Sequence, residues 1–308
     1  MTNKTTRQKI PRGYKETKFG LIPVEWDYVR IDKLALVNPR RRSIKSDTSE
    51  VSFVPMSYVS EEGRIKQTDI KKYSEVSNGY TYFEDDDILV AKITPCFESG
   101  KGAIATQLRN GIGFGSTEFH VLRAKDGIDR KYLFYHTMTN DFRKRGKRNM
   151  TGTAGQKRVP TDFIQSYHIP LPAIDEQGQS AGTIFSWDSA IAKTQKLILA
   201  KRKFKKALMQ QLLTGKHRFK EFKEPWQEYR LGELFEERTE SNRFDLPLLA
   251  ITSGNGIIAR EEIDRKDSSS ADKSKYKRIA PGDIGYNTMR MWQGVSALSN
   301  LEGIVSPA

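Results

Sequence analysis

Cysteine is nearly absent: Cys96 is the single one in 308 residues, which excludes an internal disulfide and any thiolate metal cluster. Histidine is almost as scarce. The four present, His120, His136, His168 and His217, stand in unlike surroundings, with no His-Glu-x-x-His spacing for zinc and no Gly-x-Ser-x-Gly elbow for acyl chemistry. A Walker loop is missing, and Gly111-Ile112-Gly113-Phe114-Gly115 lacks the strand, helix and later acidic residue of a dinucleotide fingerprint, so it reads as a turn. Asp85-Asp86-Asp87 has no second acidic cluster with which to share a metal and reads as a solvated turn. No constellation for catalysis is left, and a non-enzymatic role without a bound metal or cofactor is expected. Apolar runs of membrane-spanning length are also lacking, and residues 1–12 are polar, without the apolar core of a secretory signal. A cytoplasmic location in a reducing compartment fits.

What the chain has in excess is positive charge. Lys plus Arg number 52 against 38 Asp plus Glu, a net charge of +14, which points to a polyanionic partner, nucleic acid first. The length exceeds what one compact core usually serves, so two domains are expected. An internal repeat supports this. Trp26, Arg30 and Leu34 recur about 200 residues later as Trp226, Arg230 and Leu234, Asp87-Ile88 answers to Asp283-Ile284, and Gly115-Ser116 to Val305-Ser306. Three matches in one order make duplication the better reading. The second copy stops at a position matching the middle of the first, which predicts an incomplete second domain.

Between the copies the pattern predicts one long helix over residues 174–213. Ile184, Trp187, Ile191, Thr194, Ile198, Leu208 and Leu212 follow a three-and-four spacing, the seam of a helix that packs on another helix. Pro170 and Pro172 block helix before it and Gly215 stops it. Gly178 and Gly182 weaken its first turns, which predicts a later start. Residues 51–54, 88–93, 102–106 and 119–122 read as strands, and residues 129–147 as a helix. The expected fold is mixed α/β: a first domain of mixed sheet and helices over residues 1–172, a long spacer helix of coiled-coil type over 173–216, and a second, partial domain over 217–308.

Basic residues gather in two places. Arg143, Lys144, Arg145, Lys147 and Arg148 precede Thr151-Gly152-Thr153-Ala154-Gly155-Gln156-Lys157-Arg158, where small residues let backbone amides approach a phosphate and hydroxyls and cations meet its oxygens. That is the composition of a DNA-facing loop. Lys193, Lys196, Lys201, Arg202, Lys203, Lys205 and Lys206 form the second group, which serves equally as a solvated helix face.

Several phrases in order resemble one family, the specificity subunits of type I restriction-modification enzymes. They are Gly13-Tyr14-Lys15-Glu16-Thr17, Gly20-Leu21-Ile22-Pro23-Val24-Glu25-Trp26, Lys92-Ile93-Thr94-Pro95-Cys96 and Gly115-Ser116-Thr117-Glu118-Phe119. Ile169-Pro170-Leu171-Pro172 with Glu176-Gln177, and Lys206-Ala207-Leu208-Met209-Gln210-Gln211-Leu212-Leu213-Thr214-Gly215-Lys216, complete the set. The resemblance implies two target-recognition domains, each reading half of a split double-stranded DNA sequence, held apart by long spacer helices. It implies modification (methyltransferase) subunits docked on those helices, a restriction (motor and endonuclease) subunit in the full complex, and S-adenosylmethionine bound by the modification subunit, with no active site in this chain.

On chemical type, loop position and match to these phrases, the residues expected at DNA are Lys92, Thr94, Lys101, Ser116, Thr117, Lys144, Arg145, Gln156, Lys157 and Arg158. Those expected at a partner are Ile184, Trp187, Ile191, Ile198, Leu208 and Leu212. Two such chains could also pair their spacer helices and rebuild a two-headed reader. A second reading keeps the fold but makes the chain a shortened assembly or decoy protein that binds modification subunits without two-headed DNA reading.

Overall fold

The computed structural model describes residues 10–42, 49–153, 155–264 and 269–307; residues 1–9, Ala154 of the small-residue loop and Ala308 lie outside them. The chain divides into two units, residues 1–207 and 208–308.

In the first unit a hairpin, β1 (Tyr14–Thr17) and β2 (Gly20–Pro23), leads into β3 (Asp27–Arg30), a single helical turn α1 (Ile31–Leu34) and β4 (Ala35–Val37). Next come β5 (Glu50–Val54), β6 (Asp69–Lys72), the turn α2 (Tyr73–Val76), β7 (Thr81–Glu84), β8 (Ile88–Ala91), β9 (Gly102–Ile104), β10 (Ile112–Gly115) and β11 (Phe119–Ala124). They form two four-stranded sheets, β6-β5-β10-β7 and β4-β11-β8-β9. All pairings are antiparallel except β5 with β10.

Strand β8 explains the layering. All four of its residues are buried, so it reads as an unbroken apolar run rather than an alternation. Leu89, with Phe119 and Val121, packs with Val54 and Phe83 of the other sheet. Ile88 and Val90, with Leu122, face the helices that follow.

Those helices are α3 (Arg130–Met138), α4 (Asn140–Arg148) and α5 (Thr161–Ser166), after which β12 (His168–Leu171) pairs antiparallel with β3. The single helix expected over residues 129–147 is therefore two. Thr139 is extended (ψ 147°) and its hydroxyl accepts the Phe142 N–H, just as Asp129 accepts that of Tyr132. A side-chain oxygen that competes for free backbone donors ends one helix and starts the next.

Two turn readings need correction. Gly111 (φ 68°) does close a turn, but Ile112–Gly115 is strand β10, interior to its sheet. Its glycines are there for close approach: a Cβ on Gly113 would lie 2.1 Å from the Phe83 ring, and one on Gly115 2.3 Å from the Val54 carbonyl. The acidic run is a turn, yet Asp87 within it is fully buried. Its carboxylate accepts the Glu84 N–H (2.7 Å) and both Nε and Nη2 of Arg123 (2.8 and 2.7 Å).

Helix α6 (Ile174–Leu212) spans 39 residues, about 58 Å at 1.5 Å per residue, and Gly215 (φ 70°) follows it. It does not start late. Gln177 accepts the Asp129 N–H and donates to the Pro172 carbonyl, while Asp188 accepts the Tyr135 hydroxyl and gives its carbonyl to Arg64. These ties hold the first four turns on the domain and offset the weak helix propensity of Gly178 and Gly182.

The second unit contains the turn α7 (Leu231–Leu234) and three antiparallel pairs. These are β13 (Leu249–Thr252) with β14 (Gly256–Ala259), β15 (Lys277–Ile279) with β18 (Gly303–Val305), and β16 (Ile284–Tyr286) with β17 (Ser296–Leu298). It repeats the first unit at the hydrogen-bond level. Arg30 and Arg230 cap α1 and α7 with the same extended backbone (φ −69°, ψ 145° and φ −74°, ψ 145°). Asp283 accepts the Ala280 N–H and pairs with Arg238, as Asp87 does with Glu84 and Arg123. The flanking bonds match too: Asp86 N to the Ala105 carbonyl and Ala105 N to that of Asp87, against Gly282 N to Ser299 and Ser299 N to Asp283. One feature differs. Ile31 and Leu34 are buried with Ile164, Tyr167 and Ile169, whereas Leu231 is 74% exposed and Leu234 is exposed as well.

Candidate nucleic-acid interface

Three segments distant in sequence meet where β8 ends. The first is the loop from Lys92 to Lys101. Lys92 N donates to the Glu118 carbonyl (2.9 Å), its own carbonyl accepts Val159 N (2.8 Å), and Thr94 N donates to the Lys157 carbonyl (2.9 Å). The second is the β10–β11 turn, where Ser116 Oγ accepts the Glu118 N–H (3.2 Å) and Thr117 is exposed. The third, residues 151–158, closes on itself: Thr151 and Arg158 exchange N–H and carbonyl at 3.0 and 2.8 Å, and Arg158 also bridges to Ile93. The two ends of the small-residue loop, at Thr151 and Arg158, are therefore strapped together.

The sequence-predicted residues divide accordingly. Lys92, Thr94, Ser116, Thr117, Gln156, Lys157 and Arg158 are brought together by these bonds. Lys101 closes the first loop, its carbonyl accepting Ala91 N and its Nζ 3.4 Å from the Met56 carbonyl. Lys144 is exposed on α4. Arg145 is occupied elsewhere: it donates to Asp141 (3.0 Å) and to the Lys18 carbonyl (2.8 Å) in the β1–β2 turn. Arg158 lies on the Glu118 carboxylate, Nη2 at 2.8 Å, which raises its pKa and neutralises the charge locally. Lys147 pairs with Glu98 (2.9 Å), and Arg143 turns into the core. The basic cluster of α4 is thus not one surface. Among the described residues, Lys92, Lys144 and Lys157 form no ion pair.

His120 sits beneath this surface. Burial, and then the charge of Lys92, push its pKa below the ordinary imidazole value. The neutral ring fits its neighbours, Nε2 donating to the Val159 carbonyl (2.8 Å) and Nδ1 facing the Asn38 amide nitrogen (3.4 Å). It is a structural tie between β11 and the third segment. Among the described residues, no group of three or more His, Cys, Asp or Glu side chains is placed to hold a metal ion. Exposed cations, hydroxyls and an amide can bind phosphates and meet base edges.

Sequence reasoning missed one wall of the site. Asn38 (φ 52°) accepts the Val121 N–H (3.0 Å) and with Thr81, Tyr82 and Lys92 lines a cleft of roughly 190 Å3. Burial, with the Glu84 carboxylate, pushes the Tyr82 hydroxyl up to about 12. Beyond Pro39, exposed Arg40, Arg41 and Arg42 continue the rim; Arg41 donates to the Ser77 carbonyl (2.7 Å) over the Tyr73 ring. The signal was a run of three arginines after an Asn-Pro turn.

Along α6, Ile184, Trp187, Ile191, Ile198 and Leu208 are exposed, Trp187 to 69%, and Leu212 is half-buried. Leu197 and Phe204, which the stripe omitted, are exposed as well.

Residues 23–201 match the family model for the type I restriction modification DNA specificity domain. The chain is 42% identical over 177 residues to the specificity subunit of the type I restriction enzyme EcoAI of Escherichia coli, covering 56% of this chain and 30% of that protein. It is 41% identical over 165 residues to the EcoEI specificity subunit of the same organism, covering 53% and 27%. It therefore spans less than a third of the length of these two relatives. A chain solved in work on complex assembly and conformational transition of the type I restriction-modification system superposes with a TM-score of 0.52 at 19% identity, over 92% of this chain and 74% of that one, a likeness of fold.

Proposed function

We propose, from the premise that this chain belongs to the type I restriction-modification DNA specificity family, as its match over more than half its length shows, that it is a sequence-reading subunit for double-stranded DNA with no catalysis of its own. The observation that carries the reading is the strapping of residues 92–101, 116–118 and 151–158 into one surface by backbone hydrogen bonds. Such rigidity lets side chains meet base edges in a fixed register. Lys92, Lys144 and Lys157 are assigned to phosphates. Thr94, Thr117 and Gln156 are assigned to base edges, with Ser116 and Lys101 holding the loops that carry them.

The exposed face of α6, Ile184 through Leu208, is assigned to helix pairing and to docking of modification subunits, which would bind S-adenosylmethionine and carry the methyl-transfer chemistry. A restriction subunit completes the complex. A 39-residue helix is a ruler for the gap between two half-sites, since helix length fixes a distance in base pairs. The domain limits proposed on this reading are residues 1–172, 173–216 and 217–308, and the cytoplasm is the proposed location.

Co-expression with a type I modification subunit, followed by selection of bound duplexes from a random pool, tests the proposal. Enrichment of a motif by a stable complex is the expected result, and a palindromic motif would mark two chains paired through α6. A stable complex that enriches no sequence would overturn it.

A further inference from the structure

Arg143 has no place in a surface cluster. It is 7% exposed, and its Nη1 donates to the Phe97 carbonyl (3.0 Å) and its Nη2 to that of Gly100 (3.3 Å). The guanidinium lies 4.8 Å from the Phe97 ring and 5.7 Å from that of Phe142. Among the described residues it meets no carboxylate, and its Nε is buried without a partner. Burial pushes its pKa down to about 10.

A buried cation with no counter-ion is costly, and an apolar side chain would fill the same space without that cost. Packing alone does not account for it. Both carbonyls it holds belong to the loop that begins with Lys92 and Thr94 and ends with Lys101. That loop is wound by four more bonds: Phe97 N to Ile93, Ser99 N to Pro95, Gly100 N to Phe97 and Lys101 N to Cys96. It seats on α4 at Gly146, where a Cβ would come within 2.3 Å of the Phe97 ring.

We infer that Arg143 is a positioning residue for DNA recognition: it clamps the turn at residues 97–100 so that Lys92 and Thr94, on the loop that Lys101 also holds, are presented in one register, without itself touching DNA. The inference rests on the recognition reading above. A guanidinium reaches two carbonyls at once through its rigid fork, whereas an ammonium is a point donor, so lysine keeps the charge and loses the clamp.

The test uses the full chain with its modification subunit and compares Arg143→Lys, Arg143→Met, Lys101→Ala and the Arg143→Met/Lys101→Ala double variant. Affinity for the selected duplex should fall about tenfold or more in both Arg143 variants, with less than about threefold loss on random DNA. The double variant should bind no worse than Arg143→Met alone, because the clamp acts through Lys101 and its neighbours. Equal loss on both DNAs, additive losses, or unchanged affinity would overturn the inference. Should Arg143→Met not fold, Arg143→Lys carries the same comparison. Amide exchange at residues 97–101 needs no DNA: faster exchange there in Arg143→Lys, with α3 unchanged, supports the clamp, and unchanged exchange overturns it. Failure of the unsubstituted complex to select any sequence would instead overturn the recognition reading.

Discussion

If the interface meets DNA through its unpaired lysines, replacing Lys92, Lys144 and Lys157 with alanine should change the salt dependence of binding in a countable way. Each phosphate contact contributes about 0.9 to the slope of log K against log salt, so the triple variant should lose about 2.7 from that slope. Between 50 and 200 mM salt the parent would then weaken by a further factor of about 40 relative to the variant, and at 0.15 M each lysine is worth about fivefold, or about 1 kcal/mol. Arg158 provides the control. Its charge rests on Glu118 at 2.8 Å, so Arg158→Ala combined with Glu118→Ala removes one charge of each sign and should leave the slope within about 0.3. Fluorescence anisotropy on a random duplex of fixed length, titrated at five salt concentrations, measures both. An unchanged slope in the triple lysine variant, or a neutral pair that lowers it as much as one lysine does, would refute the reasoning.

Stability experiments test the fold. Gly178 and Gly182 stand inside α6 with nothing within 4 Å of an added Cβ, so each Gly→Ala substitution should stabilise by about 0.5–1 kcal/mol; a lower thermal midpoint would show an unseen contact there. Asp87→Ala should cost about 1–3 kcal/mol in urea unfolding, because it strands the Glu84 N–H and leaves Arg123 only the Glu84 carboxylate; Asp283→Ala, at the more exposed copy of the turn, should cost less, and the reverse order would contradict the burial. Burial holds His136 down to about 4 in the folded chain against an ordinary 6.5, so the unfolded chain takes up the proton first and stability is lost as pH falls from about 6.5 towards 4. His120, also depressed by burial, adds in the same direction. His136→Phe should flatten the fall in urea midpoint over that window, and an undiminished fall would remove His136 from the account.

Much of this architecture could be read in advance because local pattern decided it. The three-and-four spacing of α6, the apolar runs at β5, β8 and β11, and the paired phrases around Trp26 and Trp226 all became elements at or near their expected positions. The repeat proved deeper than the sequence phrases, reaching the hydrogen bonds around Asp87 and Asp283. What local pattern did not hold was long-range pairing. Nothing near Gly113 announces a parallel partner at Ser52, so a strand interior to its sheet looked like a turn. Thr139 resembles any helical threonine until its hydroxyl is seen to cap the next helix. The candidate interface was legible in composition but not in charge state, since Lys147 and Arg158 are set apart from Lys144 and Lys157 by the acids the fold brings to them. The Asp141–Arg145 spacing of four on one helix did carry that signal. No local pattern marks Glu118 as the partner of Arg158.

Photo-cross-linking of the chain, in complex with its modification subunit, to a selected duplex followed by peptide mapping tests the central claim most directly. Within the first unit, cross-links should fall in residues 92–101, 116–118 and 151–158 and be absent from the exposed face of α6 between Ile184 and Ile198. Cross-links on that face, with none in the three strapped segments, would contradict the account.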